Sequence, residues 1–235
     1  MLAKLLLLGL IGYTAAVQHF SVKDDKYCLI LEADIEGELK WPAGNQTETF
    51  KWKLDQTKST NGSCVGKSAA GLKANSIEIV FLPFDKNATS STDQPWILTM
   101  EFEKADNGTY DVSSWSLQFQ PRKGFMHSGQ YKKSADASPD FGAVDKNGFK
   151  CSDIGLALDH DSVVSLKSVR AVAFASYEKD EFPAGQIYEV CRLDSRTSDI
   201  VPIVVGAALA GLVVVVLIAY LVGRARAKRQ GYASV

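Results

Sequence analysis

Four asparagines, Asn45, Asn61, Asn87 and Asn107, each stand two residues before a serine or threonine. That spacing is the acceptor pattern for N-linked oligosaccharide, attached at the asparagine amide nitrogen, and four such sites on loop-like sequence favour real glycans over chance. Four cysteines, Cys28, Cys64, Cys151 and Cys191, make an even set of thiols. In an oxidising compartment an even set reads as a disulfide framework. Three pairings are open, and two sequential loops, 28 to 64 and 151 to 191, are the economical one. The chain finishes Gly231-Tyr-Ala-Ser-Val235. A tyrosine, two variable residues and a bulky apolar residue can bind in extended form, with the phenol in one pocket and Val235 in another.

These groups need a membrane and two compartments to act in, and the chain carries segments for both. Residues 200–223 hold no charged side chain. At about 1.5 Å per residue they form roughly 36 Å of helix, enough to cross a hydrocarbon core of about 30 Å with some tilt. Arg224, Arg226, Lys228 and Arg229 follow at once, a basic flank that marks the cytoplasmic side. At the other end, Lys4, the apolar run 5–12 and the small residues Thr14-Ala-Ala16 read as a secretory signal peptide. The expected organisation is a signal peptide at 1–16, a lumenal domain at 17–199, a transmembrane helix at 200–223 and a cytoplasmic sorting tail at 224–235. That tail is too short to fold alone.

Charge follows the same partition. The expected lumenal part holds 21 basic against 27 acidic side chains, a net of −6, while the tail carries four basic ones. The whole-chain value of −1 hides this asymmetry, and an acidic ectodomain gives no support for nucleic-acid binding.

The ectodomain reads as all-β. Phe50–Leu54, Ile77–Leu82, Trp96–Phe102, Trp115–Phe119, Val169–Phe174 and Tyr188–Leu193 are enriched in β-branched and aromatic residues, several with strict alternation. Turn residues separate them at Trp41-Pro-Ala-Gly44, Asn61-Gly62, Pro83, Asp106-Asn-Gly108, Asn147-Gly148 and Pro183-Ala-Gly185. Residues 121–149 form a long connection between the two cysteine loops.

No catalytic, cofactor-binding or metal-binding residues are expected. The histidines His19, His127 and His160 are scattered, Asp159-His-Asp161 reads as a polar turn, and neither a Gly-x-Ser-x-Gly elbow nor a Cys-x-x-Cys pair is present. Cys28, Trp41 and Asp106-Asn-Gly-Thr-Tyr110 mimic immunoglobulin landmarks, but that fold requires cysteine where Val112 stands.

The run from Cys191 to Arg224, with Pro202-Ile-x-x-Gly-x-Ala-Leu-Ala-Gly-Leu212 and Ile218-Ala-Tyr-Leu-Val-Gly-Arg224, followed by Gly231-Tyr-Ala-Ser-Val235, closely resembles the end of lysosome-associated membrane glycoproteins. The resemblance continues upstream through Phe149-Lys-Cys151, Ala173-Phe174 and Cys191. Before residue 120 it rests on the matching cysteine loop and the sequons. It implies disulfides Cys28–Cys64 and Cys151–Cys191, a β-prism-like lumenal domain, and residence as a single-pass type I protein in lysosomal and late-endosomal membranes, with transient passage at the plasma membrane. The chain departs from the larger members by having one such domain and no Pro-rich hinge. The function implied is a share in the glycosylated lining, biogenesis and integrity of the lysosomal membrane, with no enzymatic activity.

The implied partners are the lipid bilayer and the medium subunit of a clathrin adaptor complex, which would take Gly231, Tyr232 and Val235 as a sorting signal. Gly206-x-x-x-Ala210 and Ala207-x-x-x-Gly211 put small residues on one helical face, which permits a homo-oligomer through the membrane helix; the lumenal domain is the other candidate contact. An endocytic cell-surface receptor or adhesion protein with a β-sandwich ectodomain is the competing reading.

Overall fold

The computed structural model describes residues 17–83, 94–121, 125–144, 146–197 and 200–231. The expected signal peptide, Asn87, Tyr232 and Val235 lie outside the described residues. The chain divides into two compact units, Met1–Cys191 and Arg192–Val235.

The first unit is all-β, as its alternation requires. Its strands are β1 (Gln18–Lys23), β2 (Tyr27–Ala43), β3 (Gln46–Lys67), β4 (Lys73–Pro83), β5 (Trp96–Lys104), β6 (Thr109–Phe119), β7 (Gly129–Lys132), β8 (Gly142–Val144), β9 (Gly148–Ala157), β10 (Val163–Val172) and β11 (Tyr188–Val190). They join in one sheet of order β11-β9-β10-β2-β3-β4-β5-β6-β7, with β1 against β2 and β8 against β6. Among the described residues the named strands pair antiparallel except β11, which lies parallel to β9.

Two long strands make the sheet curl. β2 gives residues 27–33 to β1 and residues 36–43 to β3. β3 gives residues 46–53 to β2 and, from Leu54 on, turns to β4 through three register shifts. Each extra residue bends the strand and increases its twist. The Asn61-Gly62 pair, expected as a turn, lies inside β3 instead. What Gly62 supplies is closeness: a Cβ there would sit 2.1 Å from the Ser76 carbonyl and 2.7 Å from a Val22 methyl.

The curled sheet wraps an aromatic core. Trp96 is fully buried, with Trp52, Phe125, Phe119 and Phe81 ring centroids 5.6, 5.9, 6.0 and 6.3 Å away. Alternation in β4 and β5 sends Ile77, Ile79, Phe81, Leu98, Met100 and Phe102 inward. In β6 a register shift opposite Glu101 and Phe102 lets both Tyr110-x-Val112 and Trp115-x-Leu117-x-Phe119 face the core despite their odd spacing. Phe141 and Phe149, 4.8 Å apart, extend the core toward β9. The connection at 121–149 contributes β7 and β8 to the same sheet.

The expected strand at Tyr188–Leu193 stops at Val190. Cys191 is buried, and Arg192–Thr197 forms the short helix α1, whose sequence lacks alternation. The second unit is dominated by α2 (Ile200–Gly231), 32 residues long. Its segment Ile203–Arg224 is long and apolar enough to cross a membrane. The helix continues past the expected span, through the basic flank to Gly231, because Ala225, Ala227, Lys228, Arg229 and Gln230 are all good helix formers and Gly231 is a poor one.

Candidate functional site

The two halves of the β-unit are each closed by a disulfide. Cys28 pairs with Cys64 and Cys151 with Cys191, at Cα separations of 5.6 and 5.3 Å. No cysteine is free, so no thiolate remains for a metal or for nucleophilic chemistry. The first bridge is tied into the sheet by Asn75, whose side chain is buried. Its amide donates to the Cys64 carbonyl at 2.7 Å and its oxygen accepts from the Phe174 N–H at 2.7 Å. Beside this bridge lies an open groove of about 550 Å³, lined in part by Lys26, Lys73, Lys104, Asp24 and Asp25. Mixed charge and wide opening make it unlike a pocket built for one small ligand.

Three of the four sequon asparagines are described, and all are exposed. Asn45 occupies the turn between β2 and β3. Asn61 lies on β3, its amide 3.4 Å from Glu78. Asn107 sits in the turn before β6, where its side-chain oxygen accepts from the Thr109 N–H at 3.0 Å and from the Thr109 hydroxyl at 2.6 Å. That contact joins the first and third residues of the sequon in one small turn and leaves the amide nitrogen, the atom that is glycosylated, free of the tie.

The histidines do not converge on a reaction centre. His127 packs on Trp41 at 4.8 Å between ring centroids and His160 on Tyr131 at 5.0 Å. Asp159 accepts the Lys132 backbone N–H at 2.9 Å, so the Asp159-His-Asp161 turn is a connection between strands. Tyr110, placed in the false immunoglobulin pattern, donates to the Asn147 carbonyl at 2.9 Å, and burial pushes its phenol pKa well up. No catalytic grouping forms among the described residues.

A charged face on β2 was not singled out from the sequence. Glu32, Asp34, Glu36 and Glu38 recur at every second position, which places them on one side of the strand. Neighbouring strands answer them with cations. Arg170 bonds Glu32, Lys53 bonds Asp34 at 2.8 Å, Lys167 meets Glu36 at 2.5 Å and Lys51 lies 3.7 Å from Glu38. The period-two run of acids was the available signal. On the same face His19 lies between two carboxylates, 3.2 Å from Glu32 and 2.7 Å from Asp180.

The β-unit is disulfide-closed, curled and carries exposed sequons, and among the described residues of the chain one helix is able to span a bilayer. Its fold is that of the solved lysosome-associated membrane protein domains. The membrane-proximal domain of mouse lysosome-associated membrane protein 1 superposes with a TM-score of 0.55 at 17% identity, covering 77% of this chain and 99% of that one. Human lysosome-associated membrane protein 3 gives 0.53 at 16% identity, covering 75% and 99%.

Residues 201–233 match the family described as lysosome-associated membrane glycoprotein 2, transmembrane segment. Rat lysosome-associated membrane glycoprotein 1 is 29% identical over 231 residues, 96% of this chain and 50% of the rat protein. The Cricetulus griseus protein of the same name is 39% identical over 192 residues, 81% of this chain and 41% of its own length. The chain thus spans about half or less of these relatives. The similarities are to lysosome-associated membrane glycoproteins, and among the described residues one helix is long and apolar enough to cross a membrane.

Proposed function

We propose that the chain is a structural glycoprotein of the lysosomal and late-endosomal membrane, with no enzymatic activity. Its signal peptide (1–16) is removed, the domain at 17–199 faces the lumen, residues 200–223 cross the bilayer and residues 224–235 reach the cytosol. The glycans at Asn45, Asn61, Asn87 and Asn107 contribute to the carbohydrate lining, and the disulfide-closed domain supports lysosome biogenesis and membrane integrity. Tyr232 and Val235 fill two pockets on the medium subunit of a clathrin adaptor, Gly231 gives the tail room to approach, and the protein passes transiently through the plasma membrane.

The observation that carries this reading is the family match across residues 201–233, which takes in the membrane segment, the basic flank and Tyr232. The test is the steady-state distribution of a full chain tagged inside the lumenal part, with its C-terminus left free. Tyr232→Ala is expected to move the protein to the cell surface. A mutant that keeps the wild-type lysosomal distribution removes the tyrosine from the targeting role. A wild-type chain resident at the surface supports the endocytic-receptor reading instead.

A further inference from the structure

Between β10 and β11 the chain runs irregularly over the β1–β2–β10 face. Its backbone is anchored at both ends. Ala175 donates to the Cys28 carbonyl at 2.9 Å, Tyr177 exchanges bonds with Tyr27 at 2.9 and 3.0 Å, and Gly148 donates to the Ile187 carbonyl at 2.8 Å. Among the described residues, the backbone of 178–185 makes no hydrogen bond beyond the strap's own turn, in which Gln186 donates to the Pro183 carbonyl at 3.1 Å. Side chains fix this strap. Glu178 meets Lys26 at 2.7 Å and Asp180 meets His19 at 2.7 Å. Phe182 lies 5.2 Å beneath the Arg170 guanidinium and 5.9 Å from the Tyr188 ring.

His19 is the one member of this set whose charge changes near neutral pH. Both its nitrogens face carboxylates, Nδ1 toward Glu32 and Nε2 toward Asp180. A neutral imidazole has one N–H, so one nitrogen would present its lone pair to a carboxylate oxygen; only the imidazolium donates at both. We propose that His19 is a proton-operated clasp that holds the strap 178–185 against β1 and β2 in acid and releases it toward neutral pH. The other groups at the site do not share this behaviour. Arg170 stays charged and holds the second oxygen of Glu32, Lys179 pairs with Glu181 at 3.6 Å, and Tyr188 is kept as a neutral phenol by burial. When His19 loses its proton, Glu32 therefore keeps a cation while Asp180 loses its own.

The direction of the shift agrees with the geometry. Partial burial pulls the His19 pKa down, and the hydrogen bonds its ring donates to Asp180 and Glu32 outweigh it, leaving the value above that of a free imidazole. The clasp is then fully formed below about pH 6.5, the ordinary histidine value, and is lost as pH rises through the higher folded value. Joined to the proposed lysosomal residence, the strap is closed in the acid lumen and open in neutral compartments on the way there. The clasp itself requires only a change of pH.

Hydrogen exchange read by mass spectrometry on the full-length chain in nanodiscs tests it, at about pH 5 and about pH 7.5, either side of the ordinary imidazole value, after correction for intrinsic exchange. Peptides covering 175–187, in which the amides of Ala175, Tyr177 and Gln186 donate to carbonyls, are expected to be roughly two- to fivefold better protected in acid, the size a half-exposed ion pair supports. His19→Gln and Asp180→Asn are each expected to abolish that difference, while peptides from β4 to β6 keep wild-type protection and so certify the fold. Equal wild-type protection at both pH values, or a pH difference persisting in either variant, overturns the clasp. Because the measurement needs no lysosome, its failure is separable from failure of the targeting reading.

Discussion

Removing the Cys28–Cys64 bridge by the pair Cys28→Ala and Cys64→Ala frees a loop of 36 residues in the unfolded chain. The chain-entropy relation assigns such a loop about 4 kcal/mol at 25 °C. Alanine is the right replacement because Cys28 is buried, and a serine hydroxyl there would add a desolvation cost of its own. The pair Cys151→Ala and Cys191→Ala opens a loop of 40, for which the same relation differs by only about 0.1 kcal/mol. The two double variants are therefore expected to lose nearly equal stability. For a domain of this size that is a fall in Tm of about 8–16 °C each. Removing both bridges costs about 8 kcal/mol, comparable to the total stability of an ordinary domain, so the four-residue variant is expected to be largely unfolded at 37 °C. Thermal and urea unfolding of the purified full chain, followed by tryptophan fluorescence, reads all three. A loss below about 1 kcal/mol for either bridge, or a difference above about 2 kcal/mol between them, would refute loop closure as the source of the effect.

Other perturbations have defined outcomes. Trp96→Ala empties the centre of the aromatic core and is expected to cost about 3–5 kcal/mol in urea unfolding, with Trp96→Phe costing less. Gly62→Val should disrupt β3 against β4 and β1 because Ser76 and Val22 already occupy its space; its exit from the endoplasmic reticulum, read as glycan maturation, should fall sharply, whereas Gly155→Ala, whose added Cβ would meet only a Val163 methyl at 3.4 Å, is expected to mature like the wild type. Lys53→Met leaves the buried Asp34 carboxylate without its cation and is expected to cost about 1–3 kcal/mol, read as a lower urea midpoint. Asn45→Gln, Asn61→Gln and Asn107→Gln are each expected to remove one step of glycosidase-sensitive gel mobility, and an unchanged mobility would mean that site is unoccupied.

The sequence carried the parts of the fold that follow from period and length. The β-branched and aromatic enrichment of Ile77–Leu82 and the alternation in the second half of Trp96–Phe102 appear as β4 and β5 with their inward rows, and 24 uncharged positions appear within α2. It misled where local chemistry was overruled by long-range packing. Asn61-Gly62 has the composition of a turn, yet the glycine lies mid-strand because Val22 of β1 and Ser76 of β4 come too close for a side chain. Tyr188–Leu193 looked like one strand, and the buried Cys191 breaks it. The curl of the sheet was not legible, because it depends on register shifts in β3 that leave no fixed residue pattern. Nor was the His19 clasp, since Asp180 lies 161 residues away and only the fold brings them together. The acids at 32, 34, 36 and 38 were visible as a period-two row, but their cations come from two other strands, β3 and β10.

The most decisive measurement is protease accessibility in sealed, intact lysosomes carrying the full chain, with antibodies to the β-domain and to the final residues. External protease is expected to remove the C-terminal epitope and leave the glycosidase-sensitive β-domain whole until detergent is added. Degradation of the β-domain in sealed organelles, with survival of the C-terminal epitope, would contradict the proposed topology and every role assigned to the lumenal glycans and the cytosolic tyrosine.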